Sequence, residues 1–261
     1  FTVLKVTIYI FGIENLASLG SSVWLQYIAA ATILIASLVA LNKDNLKARL
    51  AYSTVSQLSY IVLGAMMANS IGILGGAIHI VMHAFGKITL FFCAGAIMVA
   101  SHKSEISQMH GLGRKMPITF ICFFLASLSI IGLPPLGGMW SKWYLALAAA
   151  ENNAHIFIAV LMISSLLNVT YLLPIVARAF IFEARDERET DIHNHKNIDN
   201  AGGIGITGDA VCSNQWNFYG LNEAPLPSVF AIVVTTISCV VLFLYADVIY
   251  HFVTPLTSGR I

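Results

Sequence analysis

The chain has 261 residues, 57% of them hydrophobic and only 10% charged, with a net charge of +1 and a mean hydropathy of +0.79. A soluble domain carries roughly 25% charged residues, so this chain lacks the polar surface to cover a globule. Its near-neutral charge excludes nucleic acid and any other bulk electrostatic partner. The expected fold class is an all-α polytopic membrane protein.

A spanning helix needs about 20 apolar residues. In chain order the candidate spans cover 1–13, 23–42, 48–69, 71–101, 117–150, 155–182 and 227–250, about seven in all. The runs are continuous rather than alternating, which excludes a barrel. The first begins at Phe1, inside apolar sequence, with neither an initiator Met nor a signal-peptide charge pattern. The expectation is therefore a fragment whose N-terminal part is missing. Residues 183–224 form the one long polar segment and are expected to be a solvated, partly disordered loop. The chain thus divides into a transmembrane bundle (1–182), a polar loop on the cytoplasmic side (183–224), and a last helix with its tail (225–261). Cys93, Cys122, Cys212 and Cys239 are scattered without a CxxC pair, and there is no glycine-rich nucleotide loop. No metal and no cofactor are expected.

Lys43, Lys47 and Arg49 cluster between two spans; Lys103, Arg114 and Lys115 cluster between another two; Arg178, Arg185, Arg188 and Lys196 lie in or beside the polar segment. The intervening connections, 14–22, 70 and 151–154, contain no Lys or Arg. Basic connections alternate with non-basic ones, which places the basic ones on the cytoplasmic or equivalent side. This parity bears on 117–150. One straight helix of that length would reach about 51 Å, against a hydrocarbon core of roughly 30 Å, yet two spans would break the alternation. A single span broken at "GLPPLGG" (Gly132, Pro134, Pro135, Gly137, Gly138) fits. Proline removes a helix donor and glycine adds backbone freedom. Broken helices at membrane depth commonly mark ion or substrate sites.

Of the 14 Lys and Arg residues, three fall inside apolar runs: Lys5, Lys87 and Lys142. A charge at the centre of a lipid-embedded helix costs roughly 2.5–3.5 kcal/mol on insertion scales. Lys87 lies 16 residues after Ile71 and 14 before Ser101, near mid-membrane and beyond the reach of snorkelling. His79, His83 and Lys87 are spaced i, i+4, i+8, so they line one helix face over about 12 Å. Imidazole titrates near pH 6.5, and a lysine held away from water can exist in either charge state. The row reads as a proton relay; the bland reading is histidines that hydrogen-bond neighbouring helices. Lys142 follows the break in "GGMWSKWYL", where it either faces the break or snorkels outward beside an interfacial belt of Trp140, Trp143 and Tyr144. Lys5 reads equally as a relay member or a helix flank. No acid lies in mid-span, so a carboxylate partner for these lysines is expected from outside this chain. The hydroxyls of "LAYSTVSQLSY" (50–60) read first as helix-packing residues and second as holders of water. Gly72, Gly75, Gly76, Gly86 and Gly95 read as sites of close helix approach, Gly86 also as a local bulge.

The stretches "LKARLAYSTVSQLSY" (46–60), "HIVMHAFGKITLFFCAG" (79–95) and "GLPPLGGMWSKWYL" (132–145), in that order and spacing, together resemble the antiporter-like proton-translocating membrane subunits of respiratory complex I. They also resemble the large subunits of Mrp-type cation/proton antiporters and of membrane-bound hydrogenases, with "GGMWSKWYL" closer to the last two. The resemblance implies a fold of two inverted five-helix repeats, of which this chain holds most of the second. It implies that Lys5 links two half-channels, that His79, His83 and Lys87 are the central relay, and that Lys142 leads to the exit side, where some relatives carry Glu. The implied function is proton translocation, with or without exchange against Na⁺, by one subunit among other membrane subunits. Redox cofactors would belong to those partners. The expected location is a multi-pass protein of a bacterial or archaeal cell membrane rather than a mitochondrial one. The alternatives are a stand-alone symporter for an anionic solute and a non-conducting scaffold subunit.

Overall fold

The computed structural model describes residues 1–18, 20–182, 217–218 and 221–257. The expectation of a solvated loop over 183–224 falls largely outside the described residues. In chain order the helices are α1 (Thr2–Lys5, continued by a π-turn over Val6–Phe11), α2 (Ile13–Ser18), α3 (Ser21–Asn42), α4 (Leu46–Met66), α5 (Ser70–Ser101), α6 (Leu112–Lys115), α7 (Pro117–Ile131), α8 (Gly138–Glu151) and α9 (His155–Ile181). A two-residue antiparallel hairpin, β1 (Asn217–Phe218) with β2 (Leu221–Asn222), precedes α10 (Leu226–Leu244) and α11 (Ala246–Thr257). Among the described residues the architecture is all-helical apart from that hairpin. The expected last span is two helices meeting at Tyr245 rather than one rod over 227–250.

Among the described residues four helices, α3, α5, α9 and α10, are long and apolar enough to cross a membrane; the segments 2–11 and 117–131 are apolar but shorter. In lipid every backbone group must be satisfied within its own segment, which makes runs rich in Ile, Val and Leu helical here. Asn45 and Asn69 set two starts, their side chains accepting from the Ala48 and Gly72 N–H groups at 3.1 and 2.8 Å. Large apolar side chains such as Trp24, Ile35, Met162, Leu166 and Phe230 point outward, as lipid-facing residues do. Inside, Leu50, Leu90, Phe120, Phe123 and Tyr171 pack α4, α5, α7 and α9 together. Ile33, Tyr60, Leu63, Leu145 and Phe157 join α3, α4, α8 and α9.

The helix ends sort onto two sides. The connections at 43–46 and 102–107 are joined: Leu46 N–H donates to Ser104 O, Ile106 N–H to Asp44 O, and the Ser107 hydroxyl to Asp44. At the opposite ends of α4 and α5, Asn152 donates to Met67 O, and Asn69 donates to Ala148 O and Glu151. Residues 117–151 therefore start beside the basic connections and finish beside the non-basic ones, crossing the bundle once as the charge alternation requires. The crossing is interrupted. Gly132 ends α7 with φ +89°, the left-handed region that favours glycine. Leu133 N–H bonds Leu128 O and Gly132 N–H bonds Ser129 O, and α8 starts afresh at Gly138. Close approach holds for most of the expected glycines; a Cβ on Gly72 would lie 2.6 Å from Gly64 O. Gly95 differs, having open space where a side chain would go. α5 runs through Gly86 as uninterrupted α-helix, without the expected bulge.

Candidate functional site

The three polar residues of α5 lie on its buried face. His79, His83 and Lys87 are 3%, 7% and 5% exposed, in a helix whose neighbours α4, α7 and α8 close over them. The row read from i, i+4, i+8 spacing is thus a buried row, not a lipid-facing one. Tyr60 of α4 extends it: Tyr60 and His79 stack with centroids 5.4 Å apart, and His79 and His83 with centroids 5.6 Å apart.

Each lysine finds neutral acceptors. Lys87 Nζ donates to Leu50 O at 3.1 Å and to Ser53 Oγ at 2.7 Å. Lys142 Nζ donates to Ile131 O at 2.8 Å and to Ser165 Oγ at 2.9 Å, and lies 5.3 Å from the Tyr60 ring centroid. Ile131 is the last residue of α7, where carbonyls lack helical partners and carry the negative end of the dipole. The break thus creates the acceptor that holds the Lys142 ammonium, and Lys142 points inward rather than snorkelling beside Trp143. Two of the three N–H groups of each ammonium are thus taken by neutral acceptors of this chain. Arg49 makes a comparable contact at the margin, donating to Tyr171 O, Lys43 O and Leu41 O.

Between the two lysines, Gln57, His79, Met82, His83, Ser129, Ile130, Gly138 and Lys142 enclose about 190 Å³. That space is divided too finely to admit the centre of a water molecule. His79 Nδ1 lies 2.9 Å from Ser141 Oγ, which in turn donates to Gly138 O at 3.0 Å. The Ser141 hydroxyl can serve either acceptor: with its hydrogen on Gly138 O the imidazole donates from Nδ1, and with its hydrogen on Nδ1 the imidazole carries its own on Nε2. His79 Nε2, His83 Nδ1, both amide atoms of Gln57 and the Tyr60 hydroxyl are buried and make no hydrogen bond of ordinary geometry. Buried polar groups are nearly always paired, so this cluster of unpaired polar atoms sets the space apart from the apolar core around it. Passage along the row requires the side chains to move or the space to open.

Lys5 stands apart. It is exposed, its ammonium 5.3 Å from the Phe1 ring centroid, and it lines a different and largely apolar recess of about 570 Å³ with residues of α5 and α11. No His/Cys/Asp/Glu cluster capable of holding a metal occurs among the described residues. Sequence reading overlooked Ser141, Ser165, Asn168 and Tyr171 as partners of the row and grouped Ser53, Gln57 and Tyr60 with packing residues. The available signal was Asn168, the one amide side chain in the apolar run 155–181.

Residues 1–168 match the family described as "NADH:quinone oxidoreductase/Mrp antiporter, TM". The chain belongs to that family. NADH-quinone oxidoreductase subunit N of Desulforudis audaxviator is 41% identical over 157 residues, covering 60% of this chain and 31% of the relative. The chain thus spans about a third of that relative's length. Among solved structures, the membrane-bound sulfane sulfur reductase, an archaeal respiratory membrane complex, matches at 26% identity with a TM-score of 0.67, over 85% of this chain and 32% of the other. Respiratory complex I from Thermus thermophilus matches with a TM-score of 0.74 over 98% of this chain and 48% of the other. At 18% identity that match bears on the fold alone. The Mrp complex from Dietzia sp. DQ12-45-1b also matches in fold, with a TM-score of 0.72 at 22% identity over 95% of this chain and 50% of the other, so these comparisons include both the complex I type and the Mrp type toward which "GGMWSKWYL" pointed. Family membership and the apolar helices make this an integral membrane protein.

Proposed function

We propose that this chain is the proton-translocating part of one subunit in a multisubunit membrane complex, moving protons along the buried row at mid-membrane depth. Lys87 exchanges its proton through His83 and His79, and Lys142 at the broken helix serves the outlet. Lys5 belongs to the path only as the link to a second half-channel, since it does not touch the row. The observation that carries this reading is the burial of the row: two lysines bound to neutral acceptors, and two stacked histidines of the same helix bundle bearing unpaired buried nitrogens. An ammonium without a counter-ion is the kind of charge that a neighbouring subunit's electrostatic change will shift, and one pH unit of such a shift corresponds to about 1.4 kcal/mol.

On this reading residues 1–182 are the second of two inverted repeats, 183–224 a cytoplasmic-side loop and 225–261 the last helical segment, with about seven crossings in all. The complex is of the complex I, Mrp or hydrogenase type in a bacterial or archaeal cell membrane, and Na⁺ exchange accompanies proton movement in the Mrp case. The partners are other membrane subunits and lipid. The test is Lys87→Ala in the full-length protein within its assembled complex, reconstituted in liposomes. Proton transport is expected to fall at least tenfold while assembly survives; pumping at the wild-type rate would refute the relay and favour a scaffold role. Solute uptake by the isolated polypeptide would instead favour a symporter.

A further inference from the structure

Lys87 is tied to more than its immediate acceptor. Ser53 Oγ, which receives the lysine proton at 2.7 Å, lies 2.8 Å from the Tyr171 hydroxyl, and that hydroxyl lies 2.5 Å from Asn168 Oδ1. Ser53, Tyr171 and Asn168 are fully buried. Asn168 Nδ2, on the other side of the same amide, has no hydrogen-bond partner. We propose that Ser53, Tyr171 and Asn168 form a reversible hydrogen-bond chain that matches and sets the charge state of Lys87, with the Asn168 amide as its pivot. This rests on the reading above, in which Lys87 changes charge during transport.

Counting hydrogens leads to it. Ser53 and Tyr171 have one hydroxyl hydrogen each. An ammonium can only donate, so beside charged Lys87 the Ser53 oxygen accepts. The serine hydrogen then turns to the Tyr171 oxygen, and the tyrosine hydrogen to Asn168 Oδ1. Every link is then satisfied, and the three separations are compatible with this order because the single tyrosine hydrogen can serve only one of its two neighbours. A neutral amine presents a lone pair, and the whole sequence reverses: Ser53 donates to Lys87, and Tyr171 donates to Ser53. The tyrosine oxygen then needs a donor where Oδ1 now stands. Rotating the Asn168 amide by half a turn brings Nδ2 to that place. The unpaired Nδ2 is thus the donor reserved for the other charge state. The chain does not conduct the proton itself, because an amide carbonyl ends it; the proton comes and goes through His83. Arg49 holds the Tyr171 carbonyl at 3.1 Å, so this part of α9 stays docked on α4 whichever way the hydroxyls point. Asn168 is accordingly a positioning residue.

The buried and partly buried titratable groups nearest Lys87 on the surrounding helices are His79, His83 and Cys93 on α5 itself, Tyr60 and Arg49 on α4, Lys142 on α8, Tyr171 on α9, and the thiols Cys122 and Cys239 on α7 and α10. The described carboxylates lie at loops and helix margins.

The experiment measures proton transport against pH for the full-length protein in its assembled complex in liposomes. Asn168→Asp supplies, while ionised, an acceptor with no N–H to turn toward the tyrosine, which favours the ammonium; the pH midpoint is expected to rise by about one unit. Asn168→Leu removes the acceptor, turns the tyrosine hydrogen back on Ser53, and is expected to lower the midpoint by about as much. Tyr171→Phe should abolish the shift caused by Asn168→Asp. A purely structural role for Asn168 would lower the rate in both variants without moving the midpoints in opposite directions, and that result overturns the proposal. So does an Asn168→Asp shift that persists with Tyr171→Phe, which would mean direct attraction through space. If the Asn168→Leu complex does not assemble, the comparison of Asn168→Asp with and without Tyr171→Phe decides alone. Wild-type transport by Lys87→Ala would overturn the underlying relay reading; loss of transport there with unmoved Asn168 midpoints overturns only the chain.

Discussion

Gly138→Ala tests the physical basis of the broken helix. At Gly138 the new Cβ would sit 1.8 Å from Ser129 O and 2.9 Å from Ser129 C, both backbone atoms of α7. Contacts of a real Cβ essentially never fall below 3.0 Å, so α7 and α8 must separate by more than about 1 Å at the break. Neither atom belongs to a flexible side chain that could swing away. Overpacking of this kind costs typically 1–3 kcal/mol, and the movement also draws Lys142, four residues into α8, away from Ile131 O at the end of α7. The matched control is Gly95→Ala, where nothing lies within 4 Å of the new Cβ and replacing a helical glycine stabilises by up to about 1 kcal/mol. The assay is thermal unfolding of the purified complex in detergent, alongside proton transport in liposomes. Gly138→Ala is expected to lower the melting temperature and reduce transport severalfold, with Gly95→Ala unchanged or slightly more stable. Equal behaviour of the two variants would refute the argument that α7 and α8 pass in backbone contact.

Lys142→Glu should be less damaging to transport than Lys142→Ala, because the carboxylate retains a titratable group at the end of α7; equal loss in both, measured in liposomes, would count against a proton-handling role at that position. Glu223 accepts from the Ile118 N–H at 2.8 Å and the Thr119 hydroxyl at 2.7 Å, at the positive end of α7. Glu223→Gln removes the charge and weakens that cap, so a loss of about 0.5–2 kcal/mol in stability is expected, seen as a lower melting temperature in detergent. An unchanged transition would show that the carboxylate charge does not stabilise α7.

The i, i+4, i+8 spacing puts His79, His83 and Lys87 on one face, because 3.6 residues per turn leaves no other outcome for a continuous helix. The seven residues "GLPPLGG" marked the break in the same local way, since proline and glycine act on their own turn. The alternation of basic connections required 117–151 to cross once, and the paired helix ends agree. Lys5 shows the limit of pattern. Its residue type matched the row, but whether it reaches the row depends on how α1 packs, and it packs against other residues.

What the sequence alone determined was therefore what has a short period or a large solvation cost: apolar helices, the break between α7 and α8, and a shared helix face for His79, His83 and Lys87 turned away from lipid. What only the tertiary structure decided was the choice of partners. Ser53 and Leu50 for Lys87, Ile131 and Ser165 for Lys142, and the Tyr171–Asn168 extension come from residues 11 to 118 positions apart. Hydrogen bonds reach only about 3 Å and depend on angle, so which polar groups meet is fixed by helix rotation and crossing, quantities that no local pattern encodes.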